Sequence, residues 1–230
     1  MYHEIAEELV REIQAGRFEN KLPSEAQLVK RYKVSRNTIR KAIDLVTQKG
    51  LVRRAQGSGY FINDINVAEK TVVNLSLGYT IKRKKLTSKI LTFDEVRADK
   101  SLTDRFNIAE GTELIRVVRL RYLKKELYNL ETAYYVKSLI PYLSIEAIHN
   151  SIFEVIKEAY GISATSSDQY LAQEHLSVEE ADLLGETTQD KELILYQTNY
   201  YGNQPFNLAR TIYVYPNLNL YFHVTNQTEK

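Results

Sequence analysis

Apolar positions at the N-terminus recur at helical spacing. Ile5, Leu9 and Ile13 stand four residues apart, with Tyr2 and Ala6 beside them, which predicts an amphipathic helix ending at Gly16. A second helix opens in Leu22-Pro23-Ser24-Glu25-Ala26-Gln27-Leu28 and runs to about Tyr32. Ser24 and Gln27 form a capping box there, and Glu25 suits the positive end of the helix dipole. After a tight turn, Ser35 caps a third helix whose buried stripe is Ile39, Ala42, Ile43 and Val46. At 100° per residue, Asn37, Arg40, Lys41 and Asp44 fall on the opposite face, and Arg36 projects from the first turn. That helix stops at Gly50. Residues 51–62 then read as a β-hairpin with Gly57-Ser58-Gly59 at its tip.

Beyond Asn63 the pattern changes. Residues 64–72 are polar and mixed, and read as a linker between domains at 1–63 and 73–230. Segments rich in Ile, Val, Tyr and Thr predict strands over 87–97, 113–124, 127–136, 164–173, 192–201, 206–215 and 220–225. Short helices are expected over 101–106, 151–160 and 177–184, the last opened by a Ser177/Glu180 capping box. Lys124-Lys125-Glu126 joins two strands as a hairpin without glycine. The fold class is therefore α+β: an N-terminal winged helix-turn-helix, then an antiparallel sheet packed with helices.

Charge sharpens this division. Residues 1–63 carry 12 basic against 7 acidic side chains, and the rest carries 19 against 22. Between Lys33 and Arg54 stand seven basic residues and one acid, Asp44, so the third helix and hairpin suit a polyanionic partner. Polar and basic groups at the start of a recognition helix are what major-groove reading requires. Arg36, Asn37 and Arg40 fit base edges, Ser35 and Thr38 fit phosphates, Lys41 shares this DNA-binding face, and Arg53 and Arg54 lie beside the expected phosphate track. The nearly side-chain-free tip of Gly57, Ser58 and Gly59 can approach a groove closely. The absence of cysteine excludes disulfides and thiolate chemistry, and the histidines at 3, 149, 175 and 223 have no metal spacing. No catalytic residue, metal site or cofactor is expected. The absence of an apolar span or signal segment makes the cytoplasm the expected location, with no membrane partner.

The front of the chain resembles the GntR superfamily winged helix. The motifs are Leu22–Glu25, Val34-Ser35-Arg36, Thr38/Arg40/Ala42 and the wing glycines Gly57 and Gly59. The resemblance implies that Arg36 and Arg40 read bases, Ser35 and Thr38 hold backbone, and the wing enters the minor groove. The loop Phe18-Glu19-Asn20-Lys21 is shorter than usual, a departure not expected to affect DNA contacts.

The remainder resembles the UTRA ligand-sensing domain of the HutC subfamily. The matching strings are Thr87–Leu91, Arg119-Leu120-Arg121-Tyr122, Leu130–Tyr135, Ser151-Ile152-Phe153, Asp168 and Gly202–Phe206. The resemblance implies a chorismate-lyase-like sheet, homodimerisation through this domain and a small-molecule effector. Arg119 and Arg121, two apart on a strand, point to one face and repel unless an anion or carboxylate lies between them. Glu131 on the adjoining strand is a candidate for that carboxylate. Carried over from the family, the effector site comprises Arg119, Arg121, Glu131, Ser151 and Phe153, with Asn207 and Tyr213 on a late strand. Forked donors suit phosphate or carboxylate, and a sugar phosphate is the leading effector. Residues 75–80 are shortened where the family carries a phosphate loop, and Asn207 replaces a glutamate. A different anion or a non-phosphorylated ligand therefore stays open, as does a purely structural Arg–Glu network.

Together these features predict a repressor released from double-stranded operator DNA by its effector. The alternatives are a non-inducible architectural DNA binder and, less favoured, an enzyme using the lyase-like sheet. Glu131 beside two arginines should stay ionised, which makes it a poor general acid.

Overall fold

The computed structural model describes residues 1–55, 57–63, 71–74, 79–80, 86–123, 125–149, 152–216 and 218–221. The chain forms two compact units, residues 1–83 with 217–230, and residues 84–216.

In the first unit, α1 (Tyr2–Gln14), α2 (Glu25–Tyr32) and α3 (Arg36–Gln48) pack their apolar stripes together. Leu9, Leu28, Ile39, Ala42, Ile43 and Val46 are fully buried in one core with Leu22, Leu51, Val52 and Tyr60. Local chemistry sets the ends of these helices. Gly16 takes φ +70° just past α1, and the Ser24–Gln27 capping box opens α2. Lys33 takes the left-handed conformation between α2 and α3, and the Ser35 hydroxyl accepts from the Thr38 amide at 3.2 Å. The wing is the antiparallel pair β1 (Val52–Ala55) and β2 (Gly59–Ile62). The short loop before α2 also lies against the wing: the Leu22 amide donates to Tyr60 O and the Ile62 amide to Asn20 O, each at 2.9 Å.

The same unit holds a small sheet in the order β11-β3-β4. Here β3 (Thr71–Asn74) pairs antiparallel with β4 (Tyr79–Thr80) and parallel with β11 (Leu218–Tyr221). Thr71 and Val72, expected in a linker, are strand residues, because a distant C-terminal segment supplies their backbone partners. Residues 64–70 and 75–78, and 222–225 of the last expected strand, lie outside the described residues.

The second unit is one antiparallel sheet in the order β5-β6-β7-β10-β9-β8. Its strands are β5 (Leu86–Arg97), β6 (Glu113–Leu123), β7 (Glu126–Val136), β8 (Ser166–His175), β9 (Lys191–Tyr201) and β10 (Gln204–Tyr213). Helices α4 (Lys100–Phe106) and α7 (Val178–Leu184) supply Phe106, Ala181 and Leu184 to the core on one face. Helices α5 (Ile145–His149) and α6 (Ile152–Tyr160) cover the other with Ile148, Ile152 and Ile156. Alternation divides neighbours between the faces: Tyr134 packs on the first core and Tyr135 belongs to the second. The β6–β7 hairpin manages without glycine because Lys125 takes φ +75°. Pattern alone did not predict α5, which has only five residues.

Candidate nucleic-acid interface and ligand site

The buried stripe of α3 fixes what the helix turns outward. Ser35, Arg36, Asn37, Arg40 and Lys41 are exposed, and Thr38 is half-buried with its hydroxyl 2.9 Å from that of Ser35. Lys41 leans toward α1, its Nζ 5.8 Å from the Tyr2 ring centroid. Arg53 and Arg54 are exposed on β1, and the Arg53 guanidinium lies 5.4 Å from the Phe61 ring centroid. Gly57 and Ser58 are exposed at the wing tip. Gly59 is different: it takes φ +103°, and a Cβ there would stand 2.8 Å from Lys21 Cε. Its bareness makes room for Lys21, whose Nζ also sits 5.4 Å from the Phe61 ring centroid. Sequence patterning treated the loop bearing Lys21 as irrelevant to this surface, yet backbone pairing lays that lysine along the wing.

Glu25 joins these parts. Arg36 Nε donates to its Oε2 at 2.7 Å, Arg40 Nε to both oxygens at 3.2 Å, and the Tyr60 hydroxyl to Oε1 at 3.0 Å. The Arg36 hydrogen bond is the main cause that holds the Glu25 carboxyl down at about 2. Tyr60 and Arg40 assist, against the opposing pull of burial. Both arginines stay open to solvent, with side chains 71% and 52% exposed. The Leu-Pro-Ser-Glu string signalled a helix start. The link from Glu25 to side chains 11 and 15 positions later carries no periodic signal.

In the sheet unit, strand register brings two rows of polar side chains together. Ser88, Arg121, Asn129 and Tyr213 lie side by side across β5, β6, β7 and β10, and Arg119, Glu131 and Thr211 form the next row. Arg119 is only 5% exposed: Nε donates to Glu131 Oε2 at 2.5 Å and Nη1 to Ile148 O at 2.7 Å. Burial works to raise the Glu131 carboxyl. The charges of Arg119 and Arg121, with the Arg119 hydrogen bond, overcome it and hold that carboxyl below the ordinary range. Arg121 Nε, by contrast, is buried without a hydrogen-bond partner among the described residues, and so is Asn129 Oδ1. Asn129 is 3% exposed. Burial pushes the hydroxyl of neighbouring Tyr213 upward, with Tyr128 and Glu131 adding to the effect.

The expected effector residues therefore separate. Arg121, Glu131 and Tyr213 converge, and Asn129, which the sequence reading did not single out, joins them through its register with Arg121 and Tyr213. Arg119 ties β6 to β7 and α5 through Glu131 and Ile148 O. Phe153 meets Phe206 edge-on in the apolar core, with centroids 6.1 Å apart. Asn207 does not reach the others. It lies six residues from Tyr213 along β10, about 20 Å in an extended strand. Its side chain, 1% exposed, accepts from Asn199 at 2.8 Å and donates to Tyr134 O at 3.2 Å. Ser151 lies outside the described residues. Among the described residues no cluster of three or more His, Asp or Glu is placed to hold a metal, and no helix is long and apolar enough to cross a membrane.

Two family models match the chain. The model of the gntR family of bacterial regulatory proteins covers residues 1–62, and that of the UTRA domain covers residues 82–216. The uncharacterized HTH-type transcriptional regulator YydK of Bacillus subtilis is 31% identical over 224 residues, which span 93% of each chain. Its crystal structure superposes with a TM-score of 0.76 at 28% identity, covering 97% of this chain and 99% of that one. The mannosyl-D-glycerate transport/metabolism system repressor MngR of Escherichia coli is 25% identical over 173 residues, 74% of this chain and 72% of its own.

Proposed function

The chain belongs to the GntR family of bacterial regulatory proteins with a UTRA domain, a family of transcriptional regulators rather than enzymes, and from that premise we propose that it is a ligand-released repressor. In this proposal a cytoplasmic homodimer, paired through its UTRA domain, holds a palindromic operator. A small anionic sugar derivative, a sugar phosphate foremost, makes it let go. The observation that carries the DNA half is the exposed cationic start of α3 beside the wing. Arg36, Asn37 and Arg40 take the base edges. Ser35, Thr38, Lys41, Arg53 and Arg54 take phosphates, and the tip Gly57-Ser58-Gly59 enters the neighbouring groove.

The ligand half rests on the unmatched polar groups of the sheet. A guanidinium whose Nε is buried without a partner suits phosphate or carboxylate, and Asn129 and Tyr213 suit hydroxyls. A relative named for a mannosyl-D-glycerate system supports a sugar-based acid. Glu131 keeps the Arg121 side of the site balanced in charge.

The test begins with a duplex that the native chain selects from a random pool. It should be a palindrome with half-sites about 10 bp apart. Sugar phosphates should then release that duplex, and DNA should weaken their binding by the same factor. Arg121→Ala should bind the duplex normally and fail to respond. Release that survives Arg121→Ala would displace the ligand site, and selection of no duplex would remove the DNA-binding role.

A further inference from the structure

Glu25 touches both arginines assigned to base edges, yet it has no role in that assignment beyond opening α2. Its carboxylate collects donors from two other elements, Arg36 and Arg40 of α3 and Tyr60 of β2. Both arginine contacts run through Nε, the inner nitrogen. An arginine pinned at Nε still presents its two terminal nitrogens end-on, and guanine offers O6 and N7 to such a fork. Arg36 and Arg40 stand four apart on one helix, where like charges repel, and a carboxylate between them cancels that repulsion. Long side chains also lose rotamer freedom on binding, and a side chain fixed beforehand has already lost it.

Charge favours the same role. Two guanidiniums sharing one carboxylate present a net charge of about +1 to duplex DNA. Sequence-blind affinity grows with the number of phosphates neutralised. Glu25 thus lowers the pull toward any phosphate and holds the forks in the pose a base edge requires. We propose that Glu25 is a positioning residue that sets the discrimination between operator and random DNA, by presenting Arg36 and Arg40 as preset forks and withholding them from indiscriminate phosphate pairing. This rests on the operator-binding reading above.

The experiment compares the full-length native chain with Glu25→Gln and Glu25→Asp on two duplexes, the one selected by the native chain and a scrambled one of equal composition. Affinity is measured from low to moderate salt, and each variant's thermal unfolding is recorded. Glu25→Gln should bind the selected duplex about 10-fold more weakly, the lower end of a bidentate base contact. It should bind the scrambled duplex several-fold more tightly, with a log–log salt slope steeper by about 0.9, one additional phosphate contact. Glu25→Asp keeps the charge but shortens the reach, so it should weaken selected binding and leave scrambled binding and its slope unchanged. Equal strengthening on both duplexes by Glu25→Gln would reduce Glu25 to a charge brake and overturn the positioning role. A native discrimination ratio in both variants, with only the melting temperature lowered, would make it a structural brace and also overturn the proposal. Selection of no duplex by the native chain would instead bring down the operator reading itself, and this inference with it.

Discussion

Each unit places one carboxylate between two arginines, and the two trios behave differently. In the reader, Glu25 holds Arg36 and Arg40 at the surface, and both guanidiniums remain largely in water. In the UTRA unit, the sensor, Glu131 sits with Arg119 and Arg121 inside the sheet, where Arg119 donates to Glu131 and Ile148 O. Arg121 Nε, like Asn129 Oδ1 beside it, is left without a partner among the described residues. The residue types match and burial decides the use. In the proposed function, the exposed trio offers forks to a large polyanion, and the buried trio keeps one donor for a small ligand.

Loss of the buried carboxylate should have the largest effect. Glu131→Ala leaves Arg119 and Arg121 facing each other without compensation and should destabilise the sensor by about 3–5 kcal/mol. Calorimetric unfolding measures this, and a loss under about 1 kcal/mol would mean that the trio is wetter than the structure shows. Next comes Arg40→Ala, which should weaken operator binding by about 1–3 kcal/mol and relax specificity while the reader still melts normally. Equal loss on operator and scrambled duplexes would demote Arg40 to a phosphate contact. Gly59→Ala should follow, at about 1–2 kcal/mol of reader stability, because alanine is strained in the left-handed region. An unchanged melting temperature would contradict that backbone assignment.

The smallest effect is acid sensitivity. Glu25 is depressed from an ordinary 4.5 to about 2. Its contribution is therefore present above pH 4.5 and fades as pH falls toward 2. Its arginine partners are exposed, so solvent screening keeps that contribution small. Melting of the reader against pH should fall through this window in the native chain and fall less in Glu25→Gln, and identical curves would remove the linkage.

What the sequence revealed follows the range of the interactions. The stripe of α3, the capping boxes at Ser24 and Ser177 and the φ-permissive glycines are local, and patterning finds them. The pairing of Arg119 with Glu131 was legible because a short hairpin fixes its register. Asn207 and Tyr213 entered one predicted site only through the family resemblance. Six positions along a single extended strand set them about 20 Å apart. Glu25, Lys21 and the β3–β11 pair depend on contacts between distant segments, which no local period encodes.

Operator recognition, as proposed, requires the start of α3 and the wing to form a specific duplex-binding surface. Fluorescence anisotropy of labelled duplexes titrated with the full chain, repeated across a salt series, tests it most directly. Affinity should fall linearly on log–log axes, with a selected duplex held about 10³-fold or more tighter than a scrambled one at moderate salt. Binding that ignores salt, or that treats the two duplexes alike, would contradict it.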